Sequence, residues 1–224
     1  MRDYSADKYT ELVENTPDPT LKQFMLDEQE FIEGIADVGT RTLVDLGAGN
    51  GRAIPYLANV AREVVAIELN PEMYPELERR SSNFNNVRAI QGDFLELGKI
   101  LPKNVHIPVF LILQNSLGTI EGGESLYALE IVKSEASRIG GSIVLSLFRQ
   151  PALKDWGVGM YGTLTDMVGN VDVAKSNFDK GLLITDTGYT SKWWTDSDII
   201  KLKESGTVVR ELLADGYQLI ELVV

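Results

Sequence analysis

Thr42-Leu43-Val44-Asp45-Leu46-Gly47-Ala48-Gly49-Asn50-Gly51 reads as a buried strand that runs directly into a loop of alternate glycines. The apolar Ile54-Pro55-Tyr56-Leu57 that follows suggests a short helix. Strand, glycine loop and helix together let backbone N–H groups approach a ligand with no Cβ in the way. A Gly-x-Gly by itself carries little weight. Its weight here comes from Glu68, which closes the next apolar strand, Val64-Val65-Ala66-Ile67. An acid in that place can accept both hydrogen bonds of a ribose diol, as in nucleotide-binding βαβ units. The competing reading is a glycine turn beside a solvated glutamate.

The spacing discriminates between cofactors. The dinucleotide fingerprint G-x-G-x-x-G requires glycine or alanine where this chain has Arg52. The chain has G-x-G-x-G instead, as Gly47, Gly49 and Gly51. With the preceding Val44-Asp45-Leu46, this resembles motif I of the class I S-adenosylmethionine-dependent methyltransferases. The resemblance continues past the loop. Glu68 matches the family's ribose acid, and Gln91-Gly92-Asp93-Phe94 matches its adenine-binding turn after strand three. Leu113-Gln114-Asn115-Ser116-Leu117-Gly118 falls where motif IV ends strand four, at the methyl-transfer site. The likeness covers residues 41–148 well and the remainder in outline.

Composition narrows the field independently. The 224 residues suffice for one substantial core, or one core with an appended lid. Thirty-three acids against 21 bases give a net charge of −12, which disfavours a phosphate backbone or an anionic lipid surface as the main partner. The chain has no cysteine, so disulfides, thiolate zinc sites, iron–sulfur clusters and a cysteine nucleophile are excluded. His106 is the single histidine, so no histidine cluster is available for a metal. The first residues lack the apolar run of a signal peptide, and no stretch approaches the ~18 apolar residues of a membrane span. The expectation is a cytoplasmic enzyme without a metal.

Residues 4–15 carry apolar positions compatible with a short amphipathic helix, which Pro17 and Pro19 stop. Asp18 or Thr20 caps a second helix whose apolar face is Leu21, Phe24, Met25, Phe31, Ile32 and Ile35. From residue 41 the pattern becomes strand, helix, strand, helix. Strands are predicted at 42–46, 63–68, 87–91, 107–113 and 142–148. A helix starts at Asn70-Pro71 and is kinked or re-initiated near Pro75. Another spans 124–139, with Leu129, Val132, Ala136 and Ile139 on one face. This alternation predicts an α/β fold with a doubly wound, mostly parallel seven-stranded sheet.

After Phe148 the rhythm changes. A helix in 149–169 is followed by antiparallel strands at 171–174, 182–185 and 189–194. Thr195-Asp196 caps a helix through residue 203. The tail is a hairpin, 207–213 and 217–223, turning at Asp215-Gly216. The methyltransferase fold ends in such an antiparallel hairpin, and the standard dinucleotide fold does not. The expected organisation is one domain: an N-terminal helical cap (1–40), a cofactor-binding core (41–148), a small antiparallel β insert forming a lid over the substrate (149–195), and a closing helix and hairpin (196–224).

The resemblance assigns roles. Gly47, Ala48, Gly49 and Gly51 let the main chain lie along the methionine and ribose of S-adenosyl-L-methionine. Asp45 organises waters or the ammonium group, or else caps the loop amides. Glu68, with Leu69 beside it, takes the ribose hydroxyls. Asp93 accepts from the adenine amine, or else caps the helix before Leu95. Phe94 offers an amide and an apolar edge. Gln114 contacts the ammonium through its backbone, and Tyr4 or Tyr9 meets the carboxylate or packs on the core.

Asn115 or Ser116 faces the acceptor, and Arg149 is the best candidate for an acceptor carboxylate. The Asn/Asp-Pro-Pro-Tyr signature of the enzymes that methylate base amino groups or glutamine amides is missing, so those acceptors lose support. Lys154, Trp156, Tyr161, Tyr189, Trp193 and Trp194 either cage the acceptor or, as the preferred reading, form the insert's own core. The reading is an S-adenosylmethionine-dependent methyltransferase acting in line on a small-molecule N or O acceptor. It has no nucleic-acid or membrane partner and is a monomer or homodimer. The alternatives are an NAD(P)-dependent oxidoreductase on a related fold and a non-catalytic S-adenosylmethionine-binding protein.

Overall fold

The strands read at 42–46, 63–68, 87–91 and 142–148 form with those bounds in the computed structural model of the chain, which describes residues 5–120, 124–204 and 206–224. They are β1 (Thr42–Leu46), β2 (Glu63–Glu68), β3 (Val87–Gln91) and β5 (Ser142–Phe148), with β4 (Val109–Ile112) between the last two. β6 (Leu182–Ile184) and β7 (Thr190–Lys192) make a separate antiparallel pair. The tail hairpin, β8 (Thr207–Leu213) and β9 (Tyr217–Val223), joins the main sheet. Its seven strands run in the order β3-β2-β1-β4-β5-β9-β8. Strands β1 to β5 pair in parallel, and β9 lies antiparallel to β5 with Phe148 opposite Tyr217.

Both faces of the sheet are covered, which is why the central strands are buried at every position and carry apolar residues on both faces rather than on one. Leu43, Val64, Val109 and Val144 pack with Leu21, Phe24, Ile32, Leu57 and Leu77 on one side. Val44, Val65, Phe110 and Ile143 pack with Leu97, Leu129, Val132, Ile199 and Leu202 on the other. β1 is flanked by β2 and β4, so the strand order reverses there. The crevice beyond the carboxyl ends of β1 and β4 is where open α/β sheets bind ligands.

Several local departures have identifiable causes. β4 is shorter than its apolar run of 107–113. Ile107 has φ +42° and Pro108 lacks an N–H at one end, while Gln114 and Asn115 turn left-handed (φ +47° and +58°) just past the other. The helix expected from Asn70-Pro71 begins only at Tyr74 and runs to Ser81, with Pro75 in its first turn. Asn70 Oδ1 instead accepts the Glu72 N–H at 2.9 Å, holding a turn.

Asp18 caps the helix Pro19–Glu33 through the Leu21 N–H (2.8 Å), so Asp18 rather than Thr20 starts it. Residues 149–168 are almost wholly helical turns. No strand forms at 171–174, where Val171 makes a single bridge to Thr185. There Asp172 Oδ1 accepts the Ala174 and Lys175 N–H groups, both at 3.1 Å, and folds the segment into a turn. Thr195 and Asp198 cap the helix Asp196–Glu204 reciprocally.

Candidate functional site

A cavity of about 490 Å³ opens at the carboxyl ends of β1, β2 and β4. Tyr9, Asp45, Gly47, Ala48, Gly49, Glu68, Leu69, Asp93, Phe94 and Gln114 all line it, as do Asn115 and Ser116. Tyr4 lies outside the described residues. Gly51 is not part of the lining. At φ +83°, a Cβ there would meet Leu77 Cδ1 at 3.0 Å and Ile54 Cγ1 at 3.2 Å. Its absence of side chain serves the close seating of the following helix, not a ligand.

Gly49 behaves in the opposite way. Its φ of +59° excludes most L-residues, yet a Cβ would meet nothing within 4 Å. The space it leaves open belongs to the cavity. Its N–H donates to Glu68 Oε2 (2.6 Å), and the Asn70 N–H donates to Glu68 Oε1 (2.7 Å). Glu68 therefore organises the glycine loop and still keeps acceptor capacity, since a carboxylate offers about four lone-pair sites. Burial raises its carboxyl above the usual range, and the Asn70 and Gly49 amides oppose that shift.

Asp93 Oδ1 caps the Leu95 N–H at 2.8 Å, which is the capping role, and Oδ2 has no partner among the described residues. Asp45 is different from both. It is 2% exposed and caps no loop amide, and no hydrogen bond reaches its carboxyl among the described residues. Burial, reinforced by the charges of Glu28 and Glu68 and opposed by Arg52, pushes that carboxyl up to about 7. An unpartnered buried acid facing a cavity is a costly arrangement that a cationic ligand relieves.

The end of β4 is held in an unusual conformation. Two successive non-glycine residues, Gln114 and Asn115, have positive φ. The Gln114 N–H donates to Glu28 Oε1 at 2.6 Å, and the Gln114 side-chain oxygen accepts from the Tyr9 hydroxyl. Ser116 Oγ turns back to the Leu113 carbonyl (2.7 Å), which fixes its orientation at the cavity wall.

Three comparisons bear on this geometry. A family model described as a methyltransferase domain matches residues 44–105. The curated "Ribosomal RNA small subunit methyltransferase A" of Acidobacterium capsulatum is 35% identical over 69 residues, 31% of this chain and 24% of that protein. Its counterpart from Koribacter versatilis is 26% identical over 139 residues, 58% of this chain and 43% of that protein. The chain thus spans less than half the length of these two relatives.

Among solved structures, the PH0226 protein from Pyrococcus horikoshii OT3 superposes with a TM-score of 0.67 at 14% identity, over 97% of this chain and 98% of that one. The CcbJ methyltransferase from Streptomyces caelestis gives 0.65 at 14%, over 99% of both chains. N-methyltransferase NodS from Bradyrhizobium japonicum WM9, solved with S-adenosyl-L-homocysteine, gives 0.58 at 12%, over 99% and 98%. The matched core and the whole-chain fold agree. Residues 44–105 match a methyltransferase domain, and the chain as a whole has the fold of these structures.

The side of the cavity toward the insert departs from sequence expectation. Asn115 lines the cavity wall, but its amide is fully committed elsewhere. Oδ1 accepts from the Trp194 indole N–H (2.9 Å) and the Phe148 N–H (3.2 Å), and Nδ2 donates to the Lys192 carbonyl (3.0 Å). Asn115 is therefore a structural tie between β4 and the insert, not a group turned to an acceptor.

Arg149 lies outside the cavity lining and is ion-paired with Asp196. Directly after β5 its backbone bridges Trp194, and that path carries the side chain toward the helix at 196–204. Lys154 is paired with Asp179 (2.8 Å). Trp156 and Trp193 stack edge to face at 5.3 Å beside Phe148 and form the insert's own core. Of the acceptor-side aromatics proposed from sequence after Phe148, Tyr161 and Tyr189 reach the cavity.

Sequence reading missed a buried ion pair beneath the cavity. The Glu28 side chain is 0% exposed and sits under Gln114. Arg52 Nη2 reaches Glu28 Oε2 at 2.7 Å, and the Ser146 hydroxyl donates to Glu28 Oε1. The carboxylate thus holds a guanidinium, a hydroxyl and the strained Gln114 amide together. Burial alone would lower the Arg52 pKa, but Glu28 overrides it and keeps the guanidinium firmly charged. The same surroundings raise the Tyr9 hydroxyl to about 12, chiefly through burial.

A signal for Glu28 existed. It stands four residues after Phe24 and four before Ile32, on the buried stripe of its helix.

Proposed function

We propose that this chain is an S-adenosylmethionine-dependent methyltransferase acting on a small-molecule N or O acceptor. The observation that carries the reading is the unpartnered Asp45 carboxyl in the same cavity as Glu68 and Asp93, beside a Gly49 with open space where a Cβ would stand. The fit to the cofactor follows from these groups. Asp45 would hold the ammonium, Glu68 the ribose hydroxyls, and the free oxygen of Asp93 the adenine amine, with Phe94 and Leu69 along the base. Tyr9 and Gln114 would close the methionine end. In this reading residues 1–40 cap the cofactor, 41–148 bind it, 149–195 wall the acceptor space, and 196–224 close the sheet.

When bound, S-adenosylmethionine supplies an activated methyl group and a neutral thioether leaving group. The chain's own residues then have to align the acceptor and exclude water. Tyr9, Val13, Leu21 and Phe148 supply walls that do so. Among the described residues, no helix is long and apolar enough to cross a membrane.

Two predictions arise here. Glu68→Ala should weaken S-adenosylhomocysteine binding by about 1.5–3 kcal/mol, roughly 10- to 150-fold, as expected for a lost charge-assisted hydrogen bond. Calorimetry reads this directly, and an unchanged Kd removes Glu68 from the site. The second concerns pH. The ligand ammonium pairs with ionised Asp45, and the free carboxyl titrates at about 7. Affinity should therefore fall about tenfold as pH drops from 8 to 6, because only the ionised fraction is competent. Asp45→Asn should bind more weakly and flatten the profile. A steep profile in that variant would reassign the titrating group.

A second reading, methylation of RNA, draws on the names of the partial relatives. Against it stand the net charge of −12 and the absence of the Asn/Asp-Pro-Pro-Tyr signature at 114–117. The deciding experiment combines titrations with S-adenosylhomocysteine and with NADH and a transfer assay using labelled cofactor on small amines, phenols and ribosomal RNA. Binding of the first ligand alone, with label appearing in a small molecule, supports the proposal. Binding of NADH, or label in RNA alone, overturns it.

A further inference from the structure

The cavity divides by chemistry. Its cofactor half carries Asp45, Glu68 and Asp93. The half toward the insert is walled by Phe148, Met160, Tyr161, Leu164, Met167 and Tyr189. Phe148, Met160, Tyr161, Leu164 and Met167 are each 5% exposed or less, so this wall is interior surface. Tyr161 and Tyr189 hold their rings 5.9 Å apart, a spacing at which aromatic faces and edges attract. Met160 and Met167 add flexible, polarisable side chains that adapt to a flat ligand.

The polar groups near this half are engaged. The Tyr161 hydroxyl donates to Ser191 Oγ at 2.8 Å, and the Asn115 amide is committed to the insert. Arg52, the cation in the lining, is bound to Glu28. An anionic acceptor would have to enter with no counter-charge from the protein, which disfavours it because a buried ion needs a partner. Among the described residues, the lining also contains no histidine, lysine or cysteine, and its carboxylates belong to the cofactor half. A hydroxyl acceptor would find no base to take its proton as the bond forms.

We propose that the acceptor is an uncharged, flat, apolar ring compound whose nucleophile is a neutral nitrogen lone pair. This deepens the methyltransferase reading and rests on it. In the transfer, the nitrogen lone pair forms the new C–N bond, and the electron pair of the breaking C–S bond leaves with sulfur as the thioether. The positive charge passes to nitrogen, and a proton, where nitrogen bears one, is released to water. No protein base is required at any point.

The test is a titration of the protein saturated with S-adenosylhomocysteine. Three probes are compared at pH 7.5: benzimidazole, benzimidazole-5-carboxylate and adenosine 5′-monophosphate. Benzimidazole should bind at least about tenfold more tightly than either anion. Leu164→Lys, which places a cation in the wall, should shift the preference toward the carboxylate by about the same factor.

Equal or tighter binding of an anion by the parent protein overturns the inference. So does the absence of benzimidazole binding, while the cofactor reading stands. Failure of S-adenosylhomocysteine itself to bind removes the cofactor reading, and the acceptor assignment with it. The S-adenosylhomocysteine titration on Leu164→Lys also identifies a variant that has lost its fold. In that case Leu164→Gln, which adds an amide without charge, should lower benzimidazole affinity and leave the anions excluded, and tighter anion binding there overturns the inference.

Discussion

Gly49→Val should abolish S-adenosylhomocysteine binding, by more than about a hundredfold, while the protein stays folded. A Cβ at this position meets no protein atom within 4 Å, so the branched side chain projects into the cavity rather than into the core. The backbone cost is that of a non-glycine residue at φ +59°, about 1–2 kcal/mol. In a chain of this size that corresponds to a fall in Tm of about 2–8 °C. Gly51→Val makes the informative contrast. There the added atoms collide with Leu77 and Ile54, so stability should fall further and any loss of binding should follow the loss of fold. Retained ligand affinity in Gly49→Val, measured beside its melting curve, would exclude the loop as the cofactor cradle.

Glu28→Ala is expected to have the largest effect on stability. It strips the counter-charge from Arg52 and leaves the Gln114 amide without its strongest acceptor. Breaking one partner of a buried pair costs about 3–5 kcal/mol, because the remaining charge stays buried. The expected Tm change is about 6–20 °C downward. The double variant Glu28→Met with Arg52→Met should recover much of this loss, since an apolar replacement removes both desolvation penalties. Recovery of fold without recovery of cofactor affinity would identify the pair as what holds Gln114 left-handed. A single variant with unchanged Tm would show that water reaches the site and compensates.

The sheet was legible in the sequence because its signals are local. Continuous apolar runs, a glycine loop and a two-residue turn at Asp215-Gly216 each lie within a dozen residues, and the strands and closing hairpin form where they indicate. That Asp45, Glu68 and Asp93 share one cavity was legible for the same reason, since each lies at or just past the carboxyl end of a strand.

The rest depended on long-range partners. Glu28 lies on the buried stripe of its helix, but its role shows only when Arg52, Gln114 and Ser146 are brought to it from the glycine loop, the end of β4 and β5. Asn115 looked free because its partners lie 33 to 79 residues further along the chain. Arg149 was expected at the cavity because it follows β5 directly, but the bridge to Trp194 redirects it. β4 shortened because the left-handed residues after it cannot continue a ladder.

The tie from Asn115 to Trp194 and Lys192 has an evolutionary corollary. It seams the insert to the end of β4 at the wall of the cavity. A duplicated copy drifting toward a new acceptor can therefore rewrite residues 158–168 freely, but a change at the seam would disturb the pocket itself. Diversification should accumulate on the helical wall and stall at 191–194, and a library built to retarget this protein should be randomised accordingly.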